Sequence, residues 1–147
     1  MYTIRKSFKV EYAHQLDSAF TKECYETIHG HSALVEVFFL SNRLDSANMV
    51  IDFGKISSLL KEVIMEFDHA LIIPCTFHHN YINILKTYNK KLVILDANPT
   101  AEYFCKYLYD KISKKLSVVI THSVDGIHFE KIRFHETATG YAEYKPR

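Results

Sequence analysis

The stretch Cys24 to Phe39, CYETIHGHSALVEVFF, sets a cysteine and two histidines flanking a glycine at the mouth of an apolar run. From His31 onward the odd positions Ala33, Val35, Val37 and Phe39 are uniformly apolar, while the even ones mix Ser32, Leu34, Glu36, Phe38 and Leu40. That alternation predicts a strand from about 31 to 40 with its odd face buried. His29 and His31 share the odd parity. If the extended geometry reaches back to His29, both imidazoles project to one side, with Gly30 removing bulk between them.

Upstream, Tyr2, Ile4, Phe8, Val10 and Tyr12 alternate with Thr3, Arg5, Ser7, Lys9 and Glu11. This predicts a strand over residues 2–14, and His14 continues its buried face. A short antiparallel pairing of the two strands would bring His14, His29 and His31 to one point. Three neutral imidazoles with a fourth position left for substrate describe a catalytic zinc site; structural zinc would more often recruit thiolates. Cys24, Cys75 and Cys105 are not spaced for that. An H-x-H-x-x-x-x-E cupin pattern also fits His29, His31 and Glu36, but Glu36 has the opposite strand parity and would face away from the ion.

Beyond Asp52, a plausible N-cap, the period changes. Phe53, Ile56, Leu60, Val63, Ile64 and Phe67 fall at helical spacing. Residues 74–91 read as a long irregular loop carrying His78 and His79 on the surface, followed by a short extended piece at Leu92 to Leu95. NPTAE (98–102) opens a second helix, capped by Asn98 or Thr100, with a buried stripe of Ala101, Phe104, Cys105, Leu108, Ile112 and Leu116. Strands are predicted again at 118–122, at 127–136 after an Asp125-Gly126 turn, and at 141–144. The order ββ-α-α-ββ predicts an α+β domain spanning 1–147: a four-stranded antiparallel sheet with two helices on one face. His122, His128 and His135 show no convergent pattern.

The chain has 147 residues, 48% hydrophobic and 24% charged, enough apolar material for one core. A net charge of +1 with scattered Lys and Arg offers no basic stripe for nucleic acid. Three cysteines without a C-x-x-C pair argue against a disulfide framework and for a reducing compartment. MYTIRKSFKV is not a signal peptide and no segment is apolar enough for a membrane span, so the expected location is cytoplasmic.

Three further groups carry chemistry. Asp68 and His69, read at the end of the first helix, form a carboxylate–imidazole pair suited to acid–base work. Cys24, in a loop near the presumed ion, is a candidate base. Glu136 continues a core face, where a carboxylate is costly unless paired. Either a ligand presenting two N–H groups or the adjacent ETATG turn supplies the partner.

The ordered set YAHQL around His14, Cys24…His29-Gly30-His31, IDF at 51–53, DHALI at 68–72, NPTAE at 98–102 and ET at 136–137 resembles the 6-pyruvoyl-tetrahydropterin synthase / 6-carboxytetrahydropterin synthase family over nearly the whole chain. The resemblance implies a tunnelling fold (T-fold) assembling as an oligomeric barrel, a homohexamer built as a dimer of trimers, with active sites between subunits. It implies Zn2+ on His14, His29 and His31 and Cys24 as base. Asp68 and His69 would reach the site from a neighbouring subunit. Glu136 would grip the pterin, framed by Thr100 and Glu102. The implied substrate is 7,8-dihydroneopterin triphosphate, and the 6-carboxy branch feeds 7-deazaguanine (queuosine) synthesis. The 6-carboxy branch usually places three residues between the cysteine and the first histidine. Here there are four, and Glu26 matches an E-x-x-H-G-H variant making 6-hydroxymethyl-dihydropterin. The 6-pyruvoyl product, Glu26 as base, and a pterin-binding or assembly protein without turnover are the alternatives.

Overall fold

A computed structural model describes residues 1–120 and 126–147. Strand β1 (Tyr2–His14) and strand β2 (His29–Ser41) pair antiparallel along their whole length, with Tyr12 opposite His31 and His14 opposite His29. The alternation does its expected work. Val10, Tyr12 and His14 are buried on β1, and Ala33, Val35, Val37 and Phe39 on β2. Gly30 lies opposite Ala13 across the pair. A Cβ at Gly30 would come to 3.2 Å from the Tyr12 carbonyl oxygen, so glycine permits this close approach of the two backbones.

Between them, residues 22–26 form a short helix α1 (Lys22–Glu26) that the sequence reading had as loop. Helix α2 (Phe53–Ile64) starts where read. The Asp52 carboxylate accepts from the backbone N–H groups of Gly54 at 2.6 Å and Lys55 at 3.2 Å, satisfying two donors of the first turn. Ile56, Leu60 and Ile64 are its buried stripe. Helix α4 (Ala101–Ile120) begins after Thr100, the cap of the two candidates: its carbonyl accepts Phe104 N–H, and its hydroxyl accepts Tyr103 N–H at 3.3 Å.

Two readings are corrected here. Residues 74–91 are not a long loop. They contain helix α3 (His79–Tyr88), capped by the His78 ring nitrogen accepting Asn80 N–H. Leu85 is buried, with Tyr81 and Ile82 packed beside it against Leu71 and Ile73. Histidine is an unusual cap and the apolar stripe is only three residues wide, so periodicity gave little warning. The strand read at 118–122 is also wrong for 118–120, where α4 continues. A helix propagating over four preceding turns accepts β-branched residues at small cost. His122 and Asp125 lie outside the described residues.

The sheet runs β4-β3-β1-β2-β5-β6. Of the strands read from the sequence, four pair antiparallel: β1, β2, β5 (Ile127–His135) and β6 (Tyr141–Tyr144). Two further strands, β3 (Ala70–Pro74) and β4 (Leu92–Leu95), extend it in parallel beyond β1. β3 is buried at every position because it is covered twice. Ala70 and Ile72 join the main core under α2 and α4, whereas Leu71 and Ile73 face α3. Phe104 is the pivot of the main core. It is fully buried, with ring contacts to Tyr12, His14, Phe67 and Phe134. Glu36, on the opposite face of β2 from the histidines, is 2% exposed and bonded to Arg5 at 2.5 Å and His135 at 2.9 Å. A buried carboxylate is tolerable only with such partners. His135 thus has a structural task the sequence did not disclose.

Replacing Asp52 by Ala removes the α2 cap and is expected to lower unfolding free energy by about 1 kcal/mol, read by urea denaturation at unchanged m-value.

Candidate active site

The ends of β1 and β2 deliver three imidazoles to one place, because residues 12 and 31 and residues 14 and 29 are cross-strand partners on a common face. One ring nitrogen from each of His14, His29 and His31 lies within 4.8 Å of the others, among the described residues. Their hydrogen bonds fix what those nitrogens carry. His14 Nδ1–H donates to the Pro99 carbonyl at 2.8 Å, and His29 Nδ1–H donates to the Thr27 carbonyl at 3.1 Å. Carbonyl oxygens only accept, so in the neutral rings both Nε2 atoms bear lone pairs.

Those two Nε2 atoms face each other at 2.9 Å. Two acceptors at that distance repel unless something positive lies between them. His31 Nε2 is buried and has no hydrogen-bond partner among the described residues. An orphaned buried ring nitrogen on His31 and two opposed lone pairs on His14 and His29 are the pattern a divalent cation resolves. Backbone carbonyls on the far ring nitrogens, as on His14 and His29, are usual orienting partners of metal-binding histidines. The residues present therefore fit a metal of the zinc type. Burial, together with the neighbouring imidazoles, also disfavours protonation: His14 is pushed down to about 4 and His31 is lowered. Neutral rings are the form that ligates.

A cleft of about 360 Å³ opens beside the cluster. It is lined by the three histidines and by Cys24, Thr100, Glu102 and Glu136, so most of the residues singled out in the sequence meet there. Cys24 is half-buried on α1. Glu26, two residues on, is exposed and does not line the cleft. Glu136 follows β5, and its Oε1 accepts the Tyr12 hydroxyl at 3.1 Å and lies 3.8 Å from His14 Nε2 and 3.9 Å from His31 Nε2. Burial and then Glu136 raise the Tyr12 pKa, so its phenol remains a donor. The ETATG turn closes on itself, with Gly140 N–H donating to Thr137 Oγ1, rather than on Glu136. Tyr12 was missed as a site residue, although its parity, two residues before His14, pointed at it.

Asp68 and His69 are not brought into this cleft. They sit in the turn after α2, beyond its end at Ile64, with His69 in the left-handed region (φ 56°). His69 Nδ1–H donates to Asp68 Oδ2 at 2.8 Å, while Asp68 Oδ1 accepts Glu11 N–H at 2.9 Å. That backbone bond, followed by His69, holds the Asp68 carboxyl below the usual range. His69 is largely exposed and lines a second groove, with Glu11, Tyr12, Gly30 and Asn89, that shares His31 with the cleft. Cys105 lies on the buried stripe of α4 as read: burial pushes its thiol up to about 12, and it donates to the Ala142 carbonyl at 3.2 Å.

Two outcomes follow from the cluster. His31→Ala is expected to retain less added zinc than the parent protein after gel filtration, read by elemental analysis, while still folding by circular dichroism. In the metal-stripped protein, the unfolded chain protonates His14 as pH falls through about 6.5, but the folded chain does so only near 4. Stability contributed by the neutral folded state is therefore lost as pH falls across that window, on the order of 3 kcal/mol. Thermal unfolding against pH checks this, and His14→Gln should flatten the profile.

Residues 3–147 match the family model described as 6-pyruvoyl tetrahydropterin synthase. The chain is 31% identical over 141 residues to the 6-carboxy-5,6,7,8-tetrahydropterin synthase of Helicobacter pylori strain J99, spanning 95% of this chain and 70% of that protein. It is 31% identical over 161 residues to the Aquifex aeolicus protein of the same name, spanning 98% of each. An uncharacterized protein of Wolinella succinogenes shares the fold with a TM-score of 0.77 at 18% identity, over 99% of this chain and 98% of that one. The 6-pyruvoyl tetrahydropterin synthase of Caenorhabditis elegans does so with a TM-score of 0.67 at 20% identity, over 99% and 96%. With the family model spanning nearly every residue and the T-fold shared, this chain belongs to the 6-pyruvoyl tetrahydropterin synthase family of pterin-converting enzymes.

Proposed function

We propose that the protein is a zinc-dependent 6-carboxy-5,6,7,8-tetrahydropterin synthase. It converts 7,8-dihydroneopterin triphosphate and one water to 6-carboxytetrahydropterin, acetaldehyde and triphosphate, in the 7-deazaguanine (queuosine) route. The observation that carries the reading is the convergence of three imidazole nitrogens, two of them bearing opposed lone pairs, on a cleft that Cys24 and Glu136 also line. The two curated relatives at 31% identity support the 6-carboxy branch.

His14, His29 and His31 would hold the zinc, which supplies Lewis acidity toward the hydroxyl oxygens of the substrate side chain. Glu136 accepts the pterin amino and ring N–H groups, and Tyr12 fixes the carboxylate by donating to Oε1. Thr100 and Glu102 frame the pocket from the first turn of α4. Cys24, as thiolate, takes the proton from the side-chain carbon. Its place on the cleft wall favours it over Glu26. His69, with Nδ1–H bound to Asp68, exchanges protons at Nε2. Since this pair lies outside the cleft of its own chain, it serves the cleft of a neighbouring subunit in a homohexamer formed as a dimer of trimers.

The test is incubation of the purified protein with zinc and 7,8-dihydroneopterin triphosphate, with products identified by mass. 6-Carboxytetrahydropterin is expected, and Cys24→Ala is expected to reduce turnover by about 10²-fold or more with zinc content unchanged. A 6-hydroxymethyl product lost in Glu26→Gln and kept in Cys24→Ala would transfer the chemistry to Glu26. A 6-pyruvoyl product would reassign the branch, and pterin binding without turnover would leave a binding protein.

A further inference from the structure

The helix that carries Cys24 has little to hold it. α1 is five residues long, none of them buried, and its N-cap Thr21 makes no side-chain cap hydrogen bond. A helix of that length does not persist on its own backbone bonds. Its position depends on attachments from elsewhere, and two stand out. Leu16 N–H donates to the Cys24 carbonyl at 3.0 Å. The next carbonyl, Tyr25, accepts Gln15 Nε2 at 2.8 Å.

Gln15 is itself locked. It is 8% exposed, its backbone N–H donates to the Ile72 carbonyl of β3 at 3.3 Å, and its side-chain Oε1 accepts the Tyr81 hydroxyl at 2.7 Å. Tyr81 lies on α3, with its ring edge-on to Phe77 over the satellite core. A chain of hydrogen bonds therefore runs Tyr81–Gln15–Tyr25, from the helix in the segment that reads as loop to the helix bearing the thiol. Gln15 also directly follows His14, so the same backbone presents an imidazole to the cluster and holds α1 beside it.

We propose that Gln15 and Tyr81 are positioning residues that set where the Cys24 thiol stands relative to the three-histidine cluster. Among the described residues, Gln15 is the side chain that joins α1 to α3, and its amide orientation is set by the Tyr25 carbonyl: that oxygen only accepts, so the amide nitrogen faces it and the amide oxygen takes the Tyr81 phenol's proton. Without the Tyr81 donor, the buried amide oxygen loses its partner and the amide gains freedom to turn. Segment 74–91 thereby takes a part in the site through a helix that never touches the cleft. This inference rests on Cys24 being the base, and its test separates the two ideas.

The test uses full-length zinc-loaded protein carrying Cys75→Ser. Cys75 is exposed and would react, whereas Cys105 is buried. Iodoacetamide alkylation of Cys24 is followed by mass against pH, alongside kcat, KM and zinc content. Tyr81→Phe keeps the ring and removes one hydroxyl. Loss of one bond should loosen α1 so that Cys24 alkylates about fivefold faster, roughly 1 kcal/mol, while kcat falls and KM and zinc content hold. Gln15→Glu keeps the acceptor toward Tyr81 but lacks the donor to Tyr25, and should behave likewise. Unchanged alkylation and kcat in both variants would overturn the proposal, as would zinc loss matching the loss of kcat. If alkylation quickens but Cys24→Ala retains turnover, the tether stands and the assignment of the base falls.

Discussion

The register between β1 and β2 is the constraint on which the site depends. With Tyr12 opposite His31 and His14 opposite His29, four rings crowd the same end of the same face. A slip of one residue would turn every side chain of one strand to the other face and separate the imidazoles. The slip is prevented by the core itself, because a turned β2 would take Ala33, Val35, Val37 and Phe39 out of it together. The apolar pattern and the three-histidine cluster are therefore enforced by one pairing. Gly30 is the local concession: at that point the two backbones come too close for a side chain to be carried comfortably.

Around this pairing the chain closes the site with groups drawn from distant sequence. Pro99, just ahead of α4, orients His14. Thr27, just after α1, orients His29. Tyr12 reaches Glu136, 124 residues away in sequence, and holds it beside the cluster. Phe104 packs under Tyr12 and His14, so the first turn of α4 is tied both to the core and to the cleft wall. Opposed lone pairs and an orphaned buried nitrogen are costly in a protein interior unless a ligand answers them. Such a cost at the end of a well-packed sheet marks a place built for binding rather than for stability.

Where the sequence was misleading, the failures have physical causes. The helix at 79–88 escaped notice because its buried stripe is short and its cap is a histidine, so neither periodicity nor capping chemistry stood out. The stretch from 118 looked like a strand because propensity favours one there, but propagation from α4 overrides propensity through residue 120. Strand β3 was hidden for a different reason: it is short and buried on both faces, and so does not alternate, whereas β4 was read as the extended piece at 92–95 without its parallel pairing to β3.

What the sequence alone determined is whatever repeats with a fixed period or declares itself by residue type. These are the two long strands, the faces they bury, the Asp52 cap, the stripe of α4 and the histidines that share a parity. Parity is set by backbone geometry and needs no partner to be known. What only the tertiary structure decided is which side of each group is already spoken for. Carbonyls from residues 27 and 99 fix the imidazole tautomers, Cys24 lines the cleft while Glu26 does not, and Asp68 with His69 stands outside it. Those outcomes depend on contacts between segments far apart in the chain, and no local pattern encodes the distance at which two of them will meet.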